Sequence, residues 1–188
     1  TEGCYEEMRA AIERLRTERP LKGLVLDYRS NGGGIMQEAV KILGMFVPKG
    51  TEVVSTKGRS EDSKQVFRTD TEPILADLPL TVLINGNSAS AAEIVAGALQ
   101  DLDRAVLIGQ RSFGKGLVQR QIGYPDGSAL RLTTAHYFTP PGRSIQKPYT
   151  VGDNASYEDE LWNRYEHNEF FTADSIRFAD SLRRLTPG

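Results

Sequence analysis

Three short runs in this chain are apolar without alternation: Gly23-Leu24-Val25-Leu26-Asp27, Leu80-Thr81-Val82-Leu83-Ile84 and Ala105 to Ile108. A strand with one wet face alternates polar and apolar residues, whereas an unbroken run is the pattern of a strand covered on both faces, as in a parallel sheet. Parallel neighbours need a long crossover, usually a helix. The intervening segments supply helical spacing, with Ile35, Ala39, Ile42, Leu43 and Phe46 closed by Pro48 and Gly50, and an Ala-rich stretch from Ala89 to Leu99. Tyr5, Met8, Ile12 and Leu15 predict a further amphipathic helix from Glu2 to Arg16. Strands are expected at Glu52 to Thr56 and Gln65 to Arg68, around a polar loop at Gly58 to Lys64. Leu117 to Ile122 and Ala129 to Phe138 read as a hairpin closed by Pro125-Asp126-Gly127, with Pro140-Pro141 ending it. The order predicts an α/β domain with a mostly parallel sheet.

A length of 188 residues, 39% apolar and 26% charged, suits one soluble globular domain. The net charge of -2 provides no basic footprint, so nucleic acid is not an expected partner. No apolar run reaches the length of a membrane span, and Thr1 begins no signal peptide. Cys4 is the lone cysteine and cannot close an internal disulfide, and with two histidines there is no metal-ligand spacing. Beyond Tyr149 the chain becomes rich in Asp, Glu, Asn and Tyr, with a weak helical pattern from Ala173 to Leu185. A core over 1–148 and a polar, unassigned segment over 149–188 are therefore expected.

Three segments could carry chemistry. In Gly86-Asn87-Ser88-Ala89-Ser90-Ala91-Ala92-Glu93 a strand enters a polar turn and then a helix. A serine there lies near unpaired helix N–H groups, the donors a developing oxyanion needs, although on local sequence alone the reading of Ser88 or Ser90 as a plain N-cap wins. In Ser112-Phe113-Gly114-Lys115-Gly116 a lysine between two glycines can enter a crowded interior, where burial disfavours its charge and makes it a base; the competing reading is a solvated turn lysine. Gly109, Gly114 and Lys115 fit part of a phosphate-binding loop, but Gly116 replaces the required Ser or Thr and a strand follows instead of a helix. The third segment, Asn31-Gly32-Gly33-Gly34, can turn backbone N–H groups toward an anion or carbonyl, or can be a simple turn. It is no dinucleotide fingerprint, because Gln37 stands at the last Gly position. No spacing ties His136 and Asp27 to a serine as a triad would require, and His167 sits in the polar segment.

Taken in order, these segments resemble the carboxyl-terminal processing proteases, also called tail-specific proteases. The matching runs are Gly23 to Gly34, Asn87 to Leu99 and Gly109 to Gly116, joined by Asp126 to Thr133 and Tyr137 to Ile145. The resemblance implies a core related to crotonase and Clp protease, built of stacked β-β-α units, and a serine endopeptidase that cleaves proteins near their C-termini. It implies Ser90 as nucleophile, Lys115 as general base, Gln119 as the residue orienting that lysine, and the N–H groups of Ala91 and Gly33 as the oxyanion hole, with Gly34 a close competitor. Ser88 is left as the cap or supporting serine. No metal or cofactor is implied, the partners are protein or peptide substrates, and the location is the cell envelope or periplasm.

The departures carry their own expectations. Such proteases usually hold a PDZ domain before the core, and none is present here; nor is a Gly-rich run before Pro-Asp visible by Gly188. Gly32 stands where the family usually has Pro. The chain is thus expected to be a fragment, with self-association favoured by open sheet edges. The competing functions are a non-catalytic binding module on the same core, or a crotonase-like enzyme acting on acyl thioesters.

Overall fold

The computed structural model describes residues 2–148 together with 159, 160, 162–164, 166 and 167. The chain divides into two compact units, Thr1–Lys147 and Pro148–Gly188. The helix expected over 173–185 lies outside the described residues.

The first unit runs α1 (Cys4–Glu18), β1 (Leu24–Asp27), α2 (Met36–Gly44), β2 (Glu52–Gly58), a 3-10 turn (Glu61–Ser63), β3 (Gln65–Arg68), β4 (Leu80–Ile84), α3 (Ala91–Asp101), β5 (Val106–Gly109), β6 (Leu117–Gly123) and β7 (Ala129–Phe138). The three apolar runs form a parallel sheet in the order β1-β4-β5, with Leu26, Val82 and Leu107 aligned across it. The other four strands form a second sheet, β3-β2-β7-β6, whose neighbours are all antiparallel. The α/β class therefore stands, with the parallel strands as one of two sheets.

One face of the parallel sheet packs on the helices. Leu26 and Val82 are buried with Ile42, Leu43 and Phe46 of and beyond α2, and with Ile94, Val95 and Leu99 of α3. The other face is open, with Val25, Val106 and Ile108 exposed by 60%, 63% and 54%. That differs from the double burial expected from unbroken apolar runs. Strand period 2 still divides each run into two faces, but only one of them meets a helix layer within the described residues.

The topology fixes where the site must be. Asp27, Ile84 and Gly109 are the last residues of β1, β4 and β5. All three candidate segments come directly after these carboxyl ends, so strands running the same way deliver them to one edge of the sheet, where open α/β sheets bind ligands.

Candidate active site

The turn between β4 and α3 is built on Ser88. Its hydroxyl is fully buried, donates to the Tyr28 carbonyl at 2.7 Å and accepts the Asn85 N–H at 3.0 Å. Being so committed, Ser88 acts as a strut. The Ala89 N–H donates to the Asn31 carbonyl at 2.9 Å, and the Ser30 N–H to Asn85 Oδ1 at 2.9 Å, so the loop after β1 is stitched to the turn after β4.

Ser90 closes that turn as the residue preceding α3, with φ 57° and ψ -120°. A side chain at positive φ outside the left-handed well carries strain on the order of 1–3 kcal/mol and persists only where surrounding bonds hold it. The holding group is Glu93, one turn into α3 and 4% exposed. Its carboxylate accepts the Ser90 N–H at 2.9 Å, the Ser112 hydroxyl at 2.6 Å, the Gly114 N–H at 2.6 Å and the Lys115 N–H at 2.8 Å. One buried carboxylate thus ties the Ser90 turn to the Lys115 loop. Sequence reasoning assigned Glu93 no role, although Ser90-x-x-Glu93 is the signature of a capping box.

The glycines flanking Lys115 have steric causes. Gly114 has φ 86°, and a Cβ there would lie 2.8 Å from Lys147 Cβ; a Cβ on Gly116 would overlap the Gln146 backbone nitrogen. The segment at Gln146–Lys147 therefore lies directly against the loop, and the Lys147 N–H donates to the Gly114 carbonyl at 3.0 Å. Lys115 itself is half-buried rather than enclosed, and its ammonium has no hydrogen-bonding or ionic partner among the described residues.

Gly33 sits against the Ser90 turn from the other side. At φ 90°, a Cβ on it would come within 2.7 Å of Ala91 N and 2.8 Å of Ser90 Cβ. Ala91 is the first residue of α3, and its N–H has no acceptor among the described residues, as first-turn helix donors generally lack one. The Gly33 N–H donates to Asn31 Oδ1 at 2.9 Å. Both glycine and alanine line a cavity of about 520 Å³ walled by Met8, Tyr28, Ile42 and Val95. Burial pushes the Tyr28 phenol up to about 12, and the Asp27 carboxylate, held low by Arg29, also lines the cavity.

The structure therefore brings Gly33, Ser90, Ala91 and the Lys115 backbone into one cluster. Gln119 lies exposed on β6 beside a β-bulge, opposite Thr133, and no hydrogen bond joins its side chain to Lys115 among the described residues. His136 is exposed on β7 opposite Leu117, and the Asp27 carboxylate is engaged by Arg29 at 2.6 and 2.9 Å, so these two form no triad with Ser90.

Residues 1–154 match peptidase family S41. The chain belongs to that family. Among curated relatives, the carboxy-terminal-processing protease of Bartonella bacilliformis is 48% identical over 149 residues, covering 78% of this chain and 34% of the relative. The carboxyl-terminal-processing protease of Synechocystis is 40% identical over 144 residues, covering 77% of this chain and 33% of the relative. Among solved structures, a photosystem II D1 C-terminal processing protease matches with a TM-score of 0.69 at 35% identity, over 78% of this chain and 37% of that one. The chain spans about a third of the length of these relatives. The α/β core inferred from the strand and helix pattern is the family's fold.

Proposed function

We propose that this chain carries the catalytic core of a serine endopeptidase that cleaves proteins near their C-termini. The observation that carries this reading is the strained Ser90 at the head of α3, tied through Glu93 to the loop that bears Lys115. In the proposed reaction, Lys115 takes the Ser90 hydroxyl proton as Oγ attacks the peptide carbonyl. The N–H groups of Ala91 and Gly33 hold the oxyanion, the lysine returns the proton to the departing amine, and water hydrolyses the acyl-enzyme. Gln119 is assigned to orienting the lysine chain once substrate is bound, since catalytic hydrogen bonds often tighten only in the complex. The Met8, Ile42 and Val95 wall of the cavity beside Gly33 and Ala91 suits an apolar side chain on the residue before the cut.

The names of the relatives support the C-terminal preference, and their bacterial and chloroplast sources support action of the parent protein outside the cytoplasm, in the cell envelope. No described helix is long and apolar enough to cross a membrane. Fusing the parent to a reporter active only after export tests the location. The activity is tested by incubating an unfolded protein with the chain and with Ser90→Ala: loss of cleavage in the variant is expected, and undiminished cleavage would refute the assignment.

A further inference from the structure

Asn31 has no part in the reaction just described, yet its carboxamide lies on one of the groups that reaction needs. We infer that Asn31 is a positioning residue: its side-chain oxygen holds the oxyanion site in the resting enzyme and yields it to the substrate carbonyl. The inference rests on Ser90 being the nucleophile. Gly33, whose backbone leaves no room for a Cβ beside Ser90 Cβ and Ala91 N, donates its N–H to Asn31 Oδ1 at 2.9 Å. That acceptor is an amide carbonyl oxygen, the same group as the peptide oxygen that would replace it.

The backbone of Asn31 is fixed while its side chain is free to leave. Its N–H donates to the Tyr28 carbonyl at 3.1 Å and its carbonyl accepts the Ala89 N–H at 2.9 Å. The side chain is exposed and borders the cavity shared with Gly33 and Ala91, so it can swing into water without losing solvation. Independent bonds from the Ser30 N–H to Asn85 Oδ1 and from Asn85 Nδ2 to Ser30 Oγ, at 2.9 and 3.3 Å, hold the loop whether or not the carboxamide is present.

Exchange of one neutral acceptor for another is near balance when a substrate carbonyl arrives. Once that oxygen becomes an oxyanion its hydrogen bonds roughly double in strength, and the carboxamide no longer competes. The device therefore covers a polar donor between turnovers and weakens substrate capture more than it weakens the transition state. A carboxylate at the same position competes with charge of its own and repels the oxyanion.

The test uses the whole chain as wild type, Asn31→Ala and Asn31→Asp, with a fluorophosphonate whose phosphoryl oxygen must enter the oxyanion site. Labelling of Ser90 is tracked by mass spectrometry, and the Gly33 amide by nuclear magnetic resonance. We expect Asn31→Ala to label about two- to tenfold faster than wild type, matching release of one ordinary hydrogen bond. We expect Asn31→Asp to label at least tenfold slower, with the Gly33 amide signal shifted in the alanine variant and all three unfolding temperatures close together. Slower labelling in both variants, or equal labelling in all three, would overturn the positioning role while leaving the nucleophile intact. Wild type that acquires no label at Ser90 would overturn both assignments.

Discussion

Ser90 is held at φ 57° and ψ -120° by its neighbours, and the strain is separable from its chemistry. Ser90→Ala and Ser90→Gly both remove the hydroxyl, but only glycine accepts positive φ without penalty. The glycine variant is expected to be more stable than the alanine variant by about 1 kcal/mol, a gap of about 2–4 °C in unfolding temperature for a domain of this size, with both inactive. Equal stability by calorimetry would show that the turn is not strained. Glu93 is the opposite case, because its removal orphans four donors at once. Glu93→Ala is expected to cost at least about 3 kcal/mol in chemical denaturation and to abolish activity. Asp27 has its carboxyl lowered to about 2 by the Arg29 side chain first and the Arg29 N–H second. A depressed carboxylate contributes stability that is present above its ordinary value of 3.8 and lost as pH falls toward about 2. Asp27→Asn should therefore be less stable than wild type at neutral pH in chemical denaturation, with the difference shrinking as pH falls from 3.8 toward about 2.

At the scale of elements, the apolar runs announced the parallel strands because period and composition act locally, and the Pro-Asp-Gly turn announced the β6–β7 hairpin for the same reason. The runs did not tell that one sheet face would be open, since burial depends on which layers arrive from elsewhere in the chain. The difference is measurable. Leu99 on α3 is fully buried and Val106 on β5 is 63% exposed. Leu99→Ala is expected to cost about 2–5 kcal/mol and Val106→Ala less than about 1 kcal/mol. A large cost at Val106 would mean that the open face is covered in solution. Site residues were unevenly legible for a related reason. Ser90 and Lys115 stand in local motifs, whereas the role of Glu93 as a clamp depends on the Gly114–Lys115 loop folding onto it from 21 and 22 residues away. Gln119 was legible by resemblance alone, and its exposed place on β6 gives no contact from which to infer its role.

At the scale of the molecule, the two sheets and helices α1, α2 and α3 of the first unit are arranged so that the loops after β1, β4 and β5 meet at one edge. Parallel order makes this work: every strand of the β1-β4-β5 sheet ends on the same side, and each end leads into a glycine-bearing loop or a helix start. The Bartonella bacilliformis relative shares this region while about two thirds of its own length lies outside the match, so binding energy remote from the reacting bond is expected to differ between this chain and that relative. The proposed pairing of Ser90 with Lys115, instead of with a histidine, sets the rate at which a fluorophosphonate labels Ser90 in wild type, Lys115→Ala and His136→Ala, measured side by side on folded protein. Lys115→Ala is expected to lose labelling by a factor of about 100 or more, as removal of a general base does, and His136→Ala to stay within about twofold of wild type. Full labelling without Lys115, or its loss without His136, would contradict the pairing.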